Sequence, residues 1–166
     1  MDFTHCKSKF IELWAQLCHH WGVNKSMAQI HALLLASPVE LNMEQIMSEL
    51  SLSQGCVNMN VRSLIDWNLI HKRQKPEERC DYYYAEKDMQ QVLKHILIQR
   101  KKLELEPLVA QLNELKECKE MGEEHHDFKQ TVVQIHQLAT RVDYALETLT
   151  RTDSHWFFNT IMKVIQ

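Results

Sequence analysis

Between Ser53 and Leu64 the residue types separate two chemistries. Val57, Val61, Leu64 and Ile65 recur at three- and four-residue steps and make one apolar stripe of a helix. Gln54, Gly55, Asn58, Met59 and Arg62 fall on the opposite face. A side-chain amide both donates and accepts, which is what the adenine edge demands, and an arginine fork fits guanine or a phosphate. Gly55 leaves the backbone bare near the helix start, where unpaired amides attract anions. Ser53 suits the N-cap and stands where it can also touch a phosphate. A second set, Lys72, Arg73, Lys75 and Arg79, is cationic and follows closely in the chain. Arg79 is the candidate for a narrow minor groove, although Glu77 and Glu78 beside it oppose that role or orient it through an ion pair. Taken singly, each of these is an ordinary exposed polar side chain. The constellation points to duplex DNA, with base edges read from a helix and phosphates met by basic groups.

Such side chains need elements to hold them. Phe10, Leu13, Trp14, Leu17, Cys18 and Trp21 form one stripe of a first helix, which Gly22 ends. Asn24 or Ser26 caps a second helix carrying Ile30, Leu33, Leu34 and Leu35, and Pro38 stops it. Asn42 caps a short third helix with Ile46, Met47 and Leu50 inward. Ser51-Leu52-Ser53 turns the chain into the fourth, with Leu52 as an apolar plug. Leu69–Gln74 and Cys80–Tyr84 then read as strands around a polar turn. Three helices running into a two-stranded hairpin is the order of a winged helix-turn-helix. After the N-cap Asp88 a helix of about 28 residues follows, kinked or restarted at Pro107. A later helix repeats Phe128, Val132, Ile135, Ala139, Val142, Leu146 and Leu149 in heptad steps, and a last short one carries Trp156 and Phe157. The expected fold is mainly α: a winged helix-turn-helix domain with a two-stranded β wing, plus long N- and C-terminal dimerisation helices. The expected division is 1–23 (dimerisation helix), 24–88 (DNA-binding domain) and 89–166 (helical dimerisation region).

Composition agrees. Three Gly and three Pro in 166 residues disfavour turn-rich sandwiches and glycine-rich nucleotide cradles. The net charge of −3 conceals an asymmetry. Residues 51–102 hold 10 basic against 6 acidic groups, net +4, and residues 103–166 hold 6 against 11, net −5. A basic reading head beside an acidic helical region suits phosphate binding at one place only. No apolar run reaches membrane-spanning length and the N-terminus does not read as a signal peptide. Five scattered Cys without a C-x-x-C favour reduced thiols, hence the cytoplasm.

The run Ser53-Gln54-Gly55-Cys56-Val57-Asn58-Met59-Asn60-Val61-Arg62-Ser63-Leu64 resembles the recognition helix of the GbsR-like branch of the MarR superfamily, Ser-x-Gly-x-Val-Ser-x-Asn-Leu-Arg-x-Leu. The resemblance continues through Trp67-Asn68-Leu69-Ile70, Arg79-x-Asp81-Tyr82-Tyr83, Ala85-Glu86-Lys87-Asp88, the stretch Gly22 to Pro38, and Glu106-Pro107, across roughly residues 20–112. Asn58 departs from the usual Ser, and Glu77-Glu78 from a frequent Gly-Asp. The resemblance implies a dimeric regulator, by default a repressor, on a pseudo-palindromic DNA operator. It further implies a role at osmoprotectant genes and a small-molecule effector such as choline or betaine.

Two copies reading paired half-sites need a dimer seam, and the first helix and the long C-terminal helices are the available material. The 128–149 heptads suit either that seam or an intramolecular hairpin against 89–115, and both hold together in a bundle. For a quaternary ammonium effector the candidate aromatic residues are Trp14, Trp21, Tyr82 and Trp156, with core packing as the competing use of each ring. Rival functions follow from other residues. Cys6 or Cys18 would serve a redox-sensing regulator. Glu123-Glu124-His125-His126-Asp127 has ligand types but no i, i+4 His pair, so no metal or other cofactor is expected. A helical interaction protein that never binds DNA would explain the heptads but not the basic hairpin. No phosphate loop, G-x-S-x-G or triad spacing suggests an enzyme.

Overall fold

The computed structural model describes residues 2–20, 22–76, 79–117 and 125–151. They belong to two units, Met1–Val92 and Leu93–Gln166. In chain order the elements are α1 (Phe3–His20), α2 (Lys25–Ala36), β1 (Leu41–Asn42), α3 (Met43–Leu50), α4 (Gln54–Asp66), β2 (Ile70–Gln74), β3 (Asp81–Ala85), α5 (Met89–Arg100), a π-helical stretch Lys101–Leu105, α6 (Glu106–Lys116) and α7 (His126–Arg151). The expected final short helix with Trp156 and Phe157 lies outside the described residues. No helix among the described residues is long and apolar enough to cross a membrane.

Local chemistry sets the helix ends of the first unit. Asn24, rather than Ser26, caps α2: its Oδ1 accepts the N–H of Ser26 at 2.8 Å. Asn42 and Gln45 form a reciprocal capping box on α3, with bonds of 2.8 and 2.9 Å. Ser53 Oγ accepts the Cys56 N–H at 3.3 Å to start α4. Gly22, at φ 74°, turns the chain out of α1 in the left-handed region that glycine enters without strain. At the far end of α2, Lys87 acts as a clasp. Its Nζ donates to the carbonyls of Leu34, Leu35 and Ser37 at 2.9, 2.6 and 3.1 Å, groups that a helix end leaves unpaired.

These helices share a core of Ile30, Leu33, Leu34, Ile46, Val57, Val61, Leu64 and Ile70, all fully buried. Each such side chain contributes about 1.5–3 kcal/mol of transfer free energy. The sheet has three strands in the order β1-β3-β2, all antiparallel, not the expected two. β1 is only two residues long, pairing Leu41 with Tyr83 and Asn42 with Tyr82. No periodicity shows in so short a strand. Its presence makes β3 the central strand, and Tyr82 and Tyr83 are both buried although they point to opposite faces.

The helix after Asp88 passes through the π-helical stretch Lys101–Leu105 and restarts as α6 at Glu106. Pro107 stands in the first turn of α6, and just before it the Glu106 N–H bonds Lys101 O, a five-residue step. The wider winding absorbs the proline's missing N–H. Lys101 sits there among Glu106, Asp143 and Glu147 at 2.8, 3.1 and 3.1 Å. Those carboxylates, Glu106 first, hold its ammonium above the usual lysine range. Leu112 of α6 packs with Val132 and Ala139 of α7, and Leu105 and Val109 lean on them.

The two apolar stripes read from the sequence prove to be split between inner and outer faces. On α1, Ala15 and Cys18 are buried while Phe3, Phe10, Leu13 and Leu17 are exposed. On α7, Val132 and Ala139 turn inward while Phe128, Ile135, Leu138 and Val142 are exposed.

Candidate nucleic-acid interface

α4 presents two different faces because its burial is nearly total on one side. Val57, Val61 and Leu64 anchor it in the core. Asn60 lies with them, buried, and its Nδ2 donates to the Cys56 carbonyl at 2.8 Å. A buried amide without that partner would be costly, so Asn60 braces the first turns of α4 rather than facing outward. Sequence reasoning gave it no role, since periodicity alone does not distinguish an inward amide from an outward one.

Outward from the same helix stand Gln54, Gly55, Met59 and Arg62, all exposed, with Asn58 half-covered beside them. Ser53 is exposed at the head of the helix, its hydroxyl oxygen engaged in the cap. A Cβ built on Gly55 meets nothing within 4 Å. The protein itself therefore has no packing need for glycine here. Met59, 59% exposed, is an unusual residue to offer to water in a polar setting. Arg62 has no ion pair among the described residues, and its positive charge falls on the buried hydroxyl of Tyr83 in β3.

The wing's cations are arranged differently from one another. Lys72 Nζ lies 2.7 Å from Asp81 Oδ2, across the hairpin. The pairing lifts the lysine above its ordinary pKa and, with a second bond from Gln74 at 3.0 Å, lowers the Asp81 carboxyl. Arg73 Nη1 reaches Glu40 Oε1 at 3.3 Å, just before β1. Lys75 Nζ rests 3.7 Å above the Tyr82 ring, a cation–π contact. Arg79 is exposed and has no ion pair among the described residues, while Glu77 and Glu78 lie outside them. Of the four wing cations expected to meet DNA, three already hold partners within the fold.

The remaining candidate residues scatter. Trp14 is half-buried; its Nε1–H donates to His31 Nδ1 at 3.3 Å, and its ring packs on Phe10 and His31. Tyr82 is buried in β3 under Lys75. Trp21 and Trp156 lie outside the described residues. Cys6 is exposed on α1, whereas Cys18 is buried and burial pushes its thiol pKa up, away from a reactive thiolate. Among the described residues no group of three His, Cys, Asp or Glu is placed to hold a metal ion. A concavity of about 390 Å³ in the first unit is walled by α3, the head of α4 and the start of β3, and includes Gln54, Glu44 and Asp81.

No family model matches this chain. No curated protein matches it in sequence either. A solved structure described as a transcriptional regulator does match its fold, with a TM-score of 0.65 over 87% of this chain and 95% of that one. At 14% identity the two share architecture, a mainly helical chain with a small antiparallel sheet placed as in winged helix proteins.

Proposed function

We propose that the chain is a DNA-binding transcriptional regulator and not an enzyme, with α4 as the helix that enters the major groove and the β2–β3 hairpin as the wing beside it. The observation that carries this reading is the outer face of α4. Gln54, Asn58 and Arg62 have the donor and acceptor sets that base edges require, and Gly55 leaves open space where nothing in the protein asks for it. The bare backbone at the start of a capped helix is where a phosphate docks. The same fold in a chain described as a transcriptional regulator supports the reading.

The finer reading rests on the resemblance to GbsR-like regulators of the MarR superfamily. It comprises a homodimer on a pseudo-palindromic operator, repression by occlusion, osmoprotectant genes as targets, a choline- or betaine-like effector and action in the cytoplasm. In this reading the dimer draws on the outer faces of α1 and α7. Phe10, Leu13 and Leu17 on α1, and Ile135, Leu138 and Val142 on α7, are large apolar side chains exposed to water.

The direct test is binding to duplexes selected by the protein from a randomised pool. Arg62→Gln should weaken the selected duplex by about 10- to 100-fold and relax preference at one base position, with the melting temperature unchanged. Equal affinity in the variant would remove α4 as the reader. Gly55→Ala separates fold from function more sharply. Alanine should raise stability slightly, by up to about 1 kcal/mol, because it restricts the unfolded chain and favours helix. Its methyl group should nevertheless reduce DNA affinity, measured by fluorescence anisotropy, by holding the phosphate off the helix start.

A further inference from the structure

We infer that Glu40 and Asp81 are charge-masking residues of the wing, each holding a cation so that phosphate must displace a carboxylate to be bound. This rests on the DNA-binding reading and concerns how the wing limits binding to random DNA. Glu40 holds Arg73 from before β1, although the two are far apart in sequence, and Asp81 holds Lys72 across the hairpin. Both carboxylates are the more covered partners: Glu40 is 23% exposed against 68% for Arg73, and Asp81 is 29% exposed against 48% for Lys72. The cations are thus tethered at the surface by anions fixed in the framework, Asp81 further fixed by Gln74. β2 lies at the edge of the sheet beside β3, and its consecutive residues Lys72 and Arg73 are both exposed.

Exposed ion pairs are weak enough to exchange. When phosphate takes the cation, however, the carboxylate stays behind, uncovered, beside a polyanion. That repulsion offsets part of the attraction from each wing contact. The penalty falls on every duplex whose phosphates take these cations. A duplex that also engages Gln54, Asn58 and Arg62 has base contacts in addition and stays bound where one held by phosphates alone does not. The carboxylates therefore lower affinity for both kinds of duplex and flatten its dependence on salt, which keeps the protein off random sequence at concentrations that fill the selected site.

Glu40→Gln keeps size and one acceptor oxygen but removes the charge. It should tighten binding to a random-sequence duplex by several-fold and steepen the slope of log K against log salt by up to about 0.9, the value of one phosphate contact. The selected duplex should tighten by a similar factor, so that random binding appears at concentrations where the native protein fills only the selected site. Arg73→Gln placed on top should abolish the gain, and should cost less affinity in the native background than in the Glu40→Gln background. Asp81→Asn is the parallel variant, with Lys72→Gln as its partner, and decides the matter where Glu40→Gln alters the melting curve. Unchanged affinity and salt slope in folded variants would overturn the masking role while the native protein still binds DNA. A native protein that binds no duplex at low salt would instead overturn the DNA-binding reading itself.

Discussion

Replacing Leu13 and Leu138 together by glutamate should convert the proposed dimer of this chain into a monomer of 19.7 kDa, as measured by light scattering. The argument begins with exposure. Leu13 is 56% and Leu138 64% exposed, so glutamate at either place removes little from the protomer's own core. Surface changes of this kind stay within about 0.5 kcal/mol of protomer stability. In a seam between copies the same change sets charges in apolar surroundings, where they are costly. The consequence for DNA is larger than for assembly. A dimer engages its second half-site at high effective concentration, which is worth about 10²- to 10⁴-fold in affinity. The variant should therefore bind a two-half-site duplex no better than an isolated half-site, with α4 untouched. A native protein that runs as a monomer at micromolar concentration would remove the dimer from the proposal.

How far these features were legible in the sequence follows from what each depends on. Ser53, Asn42 and Asp88 are read correctly as caps because capping is local: one side chain and the amides two or three residues on. The helix order and the hairpin follow from hydrophobic period. β1 escapes because two residues have no period and because Asn42 also serves as the cap of α3. The first strand starts one residue later than expected, at Ile70, and ends at Gln74 as expected, while the second is shifted by one to Asp81–Ala85, since pairing and not composition sets a strand's end. The stripes on α1 and α7 are present as expected, but a stripe wider than the face it covers does not announce which half turns inward. Only contacts decide that, and they place Ala15 and Val132 inside and Leu13 and Ile135 outside. The wing shows the same limit. Lys72 and Arg73 read as free cations because their partners, Asp81 and Glu40, are brought to them by β-pairing.

A second large effect should appear in acid. His31 of α2 is 2% exposed, and its Nδ1 accepts the Trp14 Nε1–H at 3.3 Å, which puts the neutral ring's proton on Nε2. That Nε2 is buried with no hydrogen-bond partner among the described residues. Burial first, and the charge of Lys87 second, lower the ring's pKa from 6.5 to about 4. In the unfolded chain the ring takes up its proton near 6.5, and in the folded protein only near 4. Between these values the unfolded state binds more protons, so stability falls as pH falls. At about 1.4 kcal/mol per pH unit the loss comes to roughly 3 kcal/mol by pH 4. Urea unfolding between pH 4 and 8 should show this slope in the native chain and a flatter one in His31→Leu. Carboxylates that also titrate in that range contribute equally to both and cancel in the comparison. In the native chain the His31 ring proton signals should show no titration above pH 5. Parallel unfolding profiles, or a ring that titrates near 6.5, would show that burial does not hold the imidazole neutral. The contact at risk joins α1 to α2, and the outer face of α1 carries Leu13. Acid that protonates His31 removes the acceptor of Trp14 and loosens this helix from its base, so the proposed dimer should begin to dissociate in the same pH range as stability is lost.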